Sequence, residues 1–328
     1  MAGRILQLVD PAIILTDPEL RAEEINFKGL NLAIVDNLDM LQWAARRRLL
    51  RNTVLCATSN QPASLNRYAQ GVDGYRWRCN AHNFTMSVRN ASFFESSHLP
   101  LRKILKLMYL WCHDLPQNYI MFELGMGSDS CHTVVEWSNF MRDIRQEVLL
   151  RNPQDIGGLD DHGEPVVVEI DESLFFHRKY HRGAHRPGHW VFGGMERGED
   201  KCFMVEVPNR TRETLEPLVE RYFLPGTHII SDGWPAYTHL SQLGGGVYLH
   251  DVFVHKRHFF DPEDPDVHTQ NIENMWMRAK RKIKRQFGTS RELFPTYMFE
   301  FMKRNKFHQS RSCFGHFLVS VADIYSFN

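Results

Sequence analysis

Three acidic side chains, each at the end of a stretch with a clear local pattern, offer the most specific chemistry in the chain: Asp171 in EIDES, Asp232 in IISDGW and Glu273 in TQNIENMW. Converging carboxylates repel and raise one another's pKa unless a divalent cation neutralises them. Hard oxygen ligands with open positions suit Mg2+ or Mn2+. Two such ions about 3.5–4 Å apart would activate an attacking oxygen and steady a leaving one in phosphoryl transfer. The chemistry so implied is cutting or joining a phosphodiester. Each acid also has an ordinary reading, because an aspartate after a strand serves turns and a glutamate in a first helical turn suits the helix dipole. Glu172 competes with Asp171: adjacent strand residues face opposite sides, so only one of the two joins the site, and alternation alone does not choose between them.

The elements that must position these acids begin after a loop rich in Asp and Gly, Asn152 to Gly163, which marks a domain boundary. The pattern predicts strands at Pro165 to Asp171, His189 to Glu196 and Lys201 to Val207, then a helix at Thr211 to Tyr222. A strand at His228 to Ser231, a short helix at Pro235 to Leu243, a strand at Val247 to Val254 and a helix at Thr269 to Phe287 follow. Three strands in succession and then alternation with helices imply an α/β class with a mixed sheet, an antiparallel meander followed by parallel crossovers. Asp171 and Asp232 then sit at strand ends that can be neighbours at a topological switch, with the last helix laid across them. On that helix Glu273, Trp276, Met277 and Lys280 share a face by their i, i+3, i+4, i+7 spacing. Trp276 packs the helix down or stacks on a base, packing being the expected role, while Lys280 either holds a phosphate or faces solvent.

Lysine plus arginine equals aspartate plus glutamate, 39 of each, so net charge says nothing of a polyanionic partner. The distribution says more: residues 1–40 lean acidic, and Met275 to Arg311 is dense in cations, Arg281 and Lys284 among them. The histidine-rich HRKYHRGAHRPGHW reads as a basic loop whose Arg178, Lys179, Arg182 and Arg186 meet backbone phosphate. Residues 1–40 read as an N-terminal extension, 41–98 as a helix and a small β unit, and 99–151 as helices. In that last region a turn at Gly125 to Ser130 gives helix-turn-helix architecture, with Cys131 to Leu149 as the recognition helix or as half of an ordinary helical hairpin. Residues 164–311 form the acid-bearing domain and 312–328 a tail. The six cysteines lack regular spacing, no signal peptide is evident, and no apolar run approaches the roughly 20 residues that span a bilayer; an intracellular protein with no membrane partner is expected.

EIDES, ISDGWPAY and HTQNIENMWMRAKRKI, in that order and spacing, resemble the DDE transposases of the ISXO2/IS1595 type and their animal relatives, the Merlin transposons. The likeness extends upstream through YRWRC, ASFFESSHLPLRKILKLMYLW and VVEWSNFMRDI, covering roughly residues 40–310. It implies an RNase H-like catalytic domain, a DNA-binding N-terminal region and a cut-and-paste reaction on terminal inverted repeats. The family's triad falls on Asp171, Asp232 and Glu273, selecting Asp171 over Glu172, with the trailing basic position on Lys280. Double-stranded DNA, two Mg2+ (or Mn2+), a homodimer or larger assembly on paired ends, and nuclear residence are implied as well. The departure lies in residues 41–98, where the family often carries a zinc ribbon of two cysteine pairs. Here Cys56, Cys79 and His82 stand without a fourth ligand, Ser59 occupying the place of a cysteine, with Cys112, His113 or His98 to complete the set. A host-adopted protein that binds DNA without cutting it, or a structure-specific nuclease of the same fold, are the alternatives.

Overall fold

Runs of β-branched and aromatic residues form the strands, and capped amphipathic segments form the helices. The computed structural model describes residues 4–176, 188–199, 201–253, 268–286, 288–307 and 310–327. In chain order these contain α1 (Asp17–Arg21), α2 (Phe27–Ala33), α3 (Asn37–Arg46), β1 (Ser64–Arg67), β2 (Tyr75–Cys79), β3 (Phe84–Ser87), α4 (Leu101–Cys112), α5 (Gln117–Glu123) and α6 (Cys131–Arg151). Then come β4 (Ile156–Gly157), β5 (Val167–Phe175), β6 (His189–Glu196), β7 (Cys202–Val207), α7 (Arg212–Tyr222), β8 (Phe223–Leu224), β9 (His228–Asp232), β10 (Leu249–Phe253), α8 (Gln270–Arg285), α9 (Phe294–Lys306) and α10 (Cys313–Ile324). None of the described helices is long and apolar enough to cross a membrane.

The chain divides into two units, one of Met1–Ile144 with Gln309–Asn328, the other of Arg145–His308. In the first, the segments read from sequence as extension, β unit, helices and tail share one core. Leu20, Leu30 and Ile34 are fully buried there with Trp77, Phe94 and Phe317. Trp43 stacks on Phe314 of α10 at 6.2 Å between ring centroids. A Cβ at Gly315 would lie 2.2 Å from the Leu20 carbonyl oxygen, so only glycine lets α1 and α10 approach this closely. The N-terminus of α4 is fixed by Asp73, which accepts the Leu101 N–H at 3.0 Å and pairs with buried Arg89. Strands β1, β2 and β3 form an antiparallel sheet in that order.

The second unit holds a five-stranded mixed sheet in the order β10-β9-β5-β6-β7. Its β5-β6-β7 meander is antiparallel, and β9 and β10 run parallel to β5 and to each other, as the element order predicts. One boundary differs in a way that matters. β5 does not end on Asp171 but continues to Phe175, because the alternation through Ser173, Leu174 and Phe175 stays paired with β6 as far as His189. What stops early is pairing with β9, which covers only Val167 to Glu169. Asp171 therefore lies just past the point where two parallel strands part. The short helix expected after β9 consists of 3-10 turns at Pro235–Tyr237 and Leu240–Gly245. The helix α9, which the sequence reading left without an element, packs on β7, where Met302 Sδ accepts the Met204 N–H at 3.1 Å.

Candidate active site

On β5, Glu169 and Asp171 point to the face that α8 covers, while Ile170 and Glu172 point to the other. Asp171 pairs with Gly193 on β6, and a Cβ there would lie 2.6 Å from Trp276 Cη2. The missing side chain lets the indole come close to the strand and donate its Nε1–H to Asp171 Oδ2 at 3.0 Å. Trp276 is thus buried packing with a polar handle on the site, and the base-stacking alternative does not apply to it. Burial pushes the Asp171 carboxyl up to about 6; the Glu172 backbone and Trp276 hydrogen bonds hold it down, and the charges of Asp232 and Glu273 push it further up.

Asp232 closes β9, and its Oδ1 accepts the Trp234 N–H at 3.0 Å in a tight turn that orients the carboxylate. Glu273 sits in the first turn of α8, exposed, with Thr269 Oγ1 3.5 Å from Oε1. Elements remote in sequence thus bring two of the predicted acids, Asp232 and Glu273, within electrostatic reach of the third, Asp171. Lys280, two turns along α8, has Nζ 5.4 Å from the Phe175 ring centroid; partial burial lowers its pKa and the Asp171 charge raises it. Arg281 and Lys284 are exposed on α8, whereas Lys282 is turned inward and paired with buried Glu300 at 2.9 Å. Arg178, Lys179, Arg182 and Arg186 lie outside the described residues.

Two features escaped the sequence reading. Glu169, fully buried, accepts from Arg197 Nε at 2.7 Å, Asn271 Nδ2 at 2.7 Å and the Ile272 N–H at 3.0 Å, with His268 Nδ1 at 3.4 Å. This carboxylate ties the start of α8, and so Glu273, to the strand that bears Asp171. Its one sequence signal is alternation, which puts it on the Asp171 face. The second is Arg210, whose guanidinium lies between the Trp190 and Trp234 rings, 4.1 and 4.2 Å from their centroids. Glu172 faces this side, away from Trp276 as alternation requires, yet it remains coupled to the site. Burial pushes its carboxyl up to about 7; the Tyr237 hydroxyl and Arg210 pull it down, while Asp171 and Asp232 push it up.

Asp171, costly to ionise without a counter-charge, and the neighbouring carboxylates of Asp232 and Glu273 offer hard oxygens of the kind a divalent cation takes, although among the described residues the three do not close into one ligand cluster. In the N-terminal unit, Cys56, Cys79 and His82 bring their ligand atoms within 4.8 Å of one another, with His82 Nδ1 3.7 Å from Cys56 Sγ and 3.5 Å from Cys79 Sγ. Burial raises the Cys56 thiol pKa, but hydrogen bonds from the Ser59 side chain and the Ser59 and Thr58 backbone, with Cys79, outweigh it and leave the thiol at about 6. His113, proposed from sequence as a further ligand, instead meets Cys313 Sγ at 3.6 Å. This donor set suits zinc on three corners.

No curated protein matches the chain significantly. The family model of the ISXO2-like transposase domain matches residues 165–305, the stretch that contains all three acids, Trp276 and Lys280. Over residues 165–305 the chain is therefore similar to the DDE transposase domain of the IS1595 type.

Proposed function

We propose that the protein is a DNA transposase that hydrolyses phosphodiesters at terminal inverted repeats and then uses the freed 3′-hydroxyl to attack a target phosphodiester, forming a new 3′-O–P bond as the target strand's own 3′-oxygen leaves. The observation that supports this best is the convergence of Asp171, Asp232 and Glu273 from β5, β9 and α8, with Asp171 raised to about 6 by burial and by its acidic neighbours. Such a carboxylate is costly to keep ionised alone, and a bound cation would offset that cost. Asp171 and Asp232 would share two Mg2+ ions and Glu273 would ligate one; bound there, the ions supply activation of the nucleophile and neutralisation of the leaving oxygen. Trp276 fixes the rotamer of Asp171, Glu169 fixes the start of α8, and Lys280 steadies the scissile phosphate beside them. The sheet order, with Asp171 and Asp232 at the fork of β5 and β9, suits an RNase H-like arrangement.

We assign recognition of the repeats to the N-terminal unit, on the α5 and α6 helix-turn-helix. The exposed positions of α6 include His132 and Glu136, which offer base-edge groups, whereas Arg142 and Arg145 are buried and supply no phosphate contact. Phosphate neutralisation falls instead to Lys280, Arg281 and Lys284. Action on paired ends implies a dimer or larger assembly, and basic AKRKIKR is compatible with nuclear entry as well as DNA contact. The test is a terminal-repeat oligonucleotide incubated with purified protein and Mg2+. Nicking and joining are expected, with loss of at least a hundredfold in Asp232→Asn; equal activity of wild type and variant would refute the assignment.

A further inference from the structure

A cavity of about 1070 Å³ opens beside the acids, and Glu172, Phe176, Trp190, Arg210, Lys280 and Lys284 are among its walls. That volume is at the upper end of what small-ligand clefts offer, so it exceeds the needs of a metal ion and its waters. The wall is mostly apolar and aromatic, with cations spaced around it. A B-form duplex presents charged backbone and stacked, covered bases, so an aromatic wall gains little from it. Splayed nucleotides gain more, because their exposed base faces stack on aromatic rings while Lys and Arg follow the backbone.

Three further observations tie this cavity to the cutting site and to a ligand. Arg210 is held between two indoles, and Trp234 Nε1 donates to the Arg210 carbonyl at 3.1 Å while the Trp234 N–H bonds Asp232. A guanidinium fixed this way is pre-organised for phosphate or a base edge. Glu172, 8% exposed and next in chain to Asp171, has an Oε1 sealed from solvent beside the buried Tyr237 hydroxyl, and neither atom makes a well-formed hydrogen bond. Buried polar groups of that kind are costly unless a ligand satisfies them. Phe176, at the rim, takes φ +61°, a left-handed conformation that a bulky residue adopts only where its surroundings impose it.

We infer that this cavity takes unpaired nucleotides of the DNA end next to the scissile phosphate, stacking bases on Trp190 and Phe176, reading a base edge with Glu172 and holding backbone with Arg210, Lys280 and Lys284. The inference rests on the transposase reading for which strand is cut, but its test does not depend on cutting. The probes are a fluorescein-labelled 20-base-pair hairpin, blunt or carrying a three-nucleotide unpaired dT tail, measured by anisotropy in EDTA. Wild type is expected to bind the tailed hairpin about tenfold more tightly than the blunt one. Trp190→Ala and Arg210→Gln should each reduce that preference below about twofold while leaving blunt-end affinity within about twofold, with melting curves confirming the fold. Glu172→Gln, which keeps an acceptor and a donor, should retain the preference, and Glu172→Ala should lose most of it. Equal binding of both hairpins by wild type, or a preference that survives in both Trp190→Ala and Arg210→Gln, overturns the inference. Protein that nicks with Mg2+ yet shows no tail preference sinks the cavity assignment alone; a tail preference without nicking supports the cavity and sinks the transposase mechanism instead.

Discussion

Removing the best-placed carboxylate should make the metal-free protein more stable. Asp171 has its pKa raised from 3.8 to about 6, chiefly by burial and then by Asp232 and Glu273, so the folded chain holds this proton more tightly than the unfolded chain does. Below about pH 4 both states carry the proton and no penalty arises; between that and about pH 6 the unfolded state ionises first and stability falls; above pH 6 the penalty is constant. Two pKa units correspond to about 3 kcal/mol. Asp171→Asn abolishes the charge yet keeps an oxygen to accept the Trp276 N–H, so in EDTA at pH 7.5 the gain should be about 1–3 kcal/mol, the lower figure allowing for a less well matched amide. In a domain of this size that is about 2–4 °C of melting temperature per kcal/mol. Urea or thermal unfolding in EDTA at pH 7.5 and pH 4.5 measures it, with the gain expected to shrink at the lower pH. Adding Mg2+ should then raise the stability of wild type and not that of the variant, because only wild type offers the ion its full site. A variant no more stable than wild type at pH 7.5 in EDTA would refute the account of Asp171 as an acid strained by its surroundings.

Two other outcomes are expected. Glu169→Ala, which removes the acceptor shared by Arg197, Asn271 and the Ile272 N–H and frees the start of α8, should cost about 3–5 kcal/mol by urea titration, whereas Glu169→Gln should cost about 1–2 kcal/mol and lower Mg2+-dependent nicking more than it lowers DNA affinity. Metal analysis of purified protein should find one zinc per chain, lost in Cys79→Ser together with several degrees of melting temperature; zinc-free wild type would show that the cluster folds as thiol and imidazole alone.

Much of the second unit was legible because its acids fall where local pattern changes: Asp232 as the last residue of a short strand with a buried centre, Glu273 within a helical first turn. The end of β5 was not, since nothing in Val167 to Phe175 marks where one neighbour stays and the other leaves; that depends on the course of β9, about sixty residues away. Glu169 looked like any strand acid, and its importance comes from Arg197 and Asn271, partners that only the folded sheet assembles. Arg210 was equally silent, because a guanidinium gains meaning here from two tryptophans brought to either side of it. In the N-terminal unit, apolar residues of 1–40 have no strong period of their own, and α10 is far away in sequence, so their common core could not be read from either segment.

That common core has a consequence for how the protein is made. Residues 145–308 are inserted within a unit whose last structural piece, α10, is translated only after them. At roughly 5–20 residues per second, the ribosome takes on the order of 10–30 s to pass from Ile144 to α10. Throughout that delay the seats of Phe314 and Phe317, beside Trp43 and Trp111, stand open to water. The second unit can therefore complete itself first, while the N-terminal unit still lacks the α10 part of its core. A chain cut short before α10 would keep its acids yet expose the apolar seats that α10 fills.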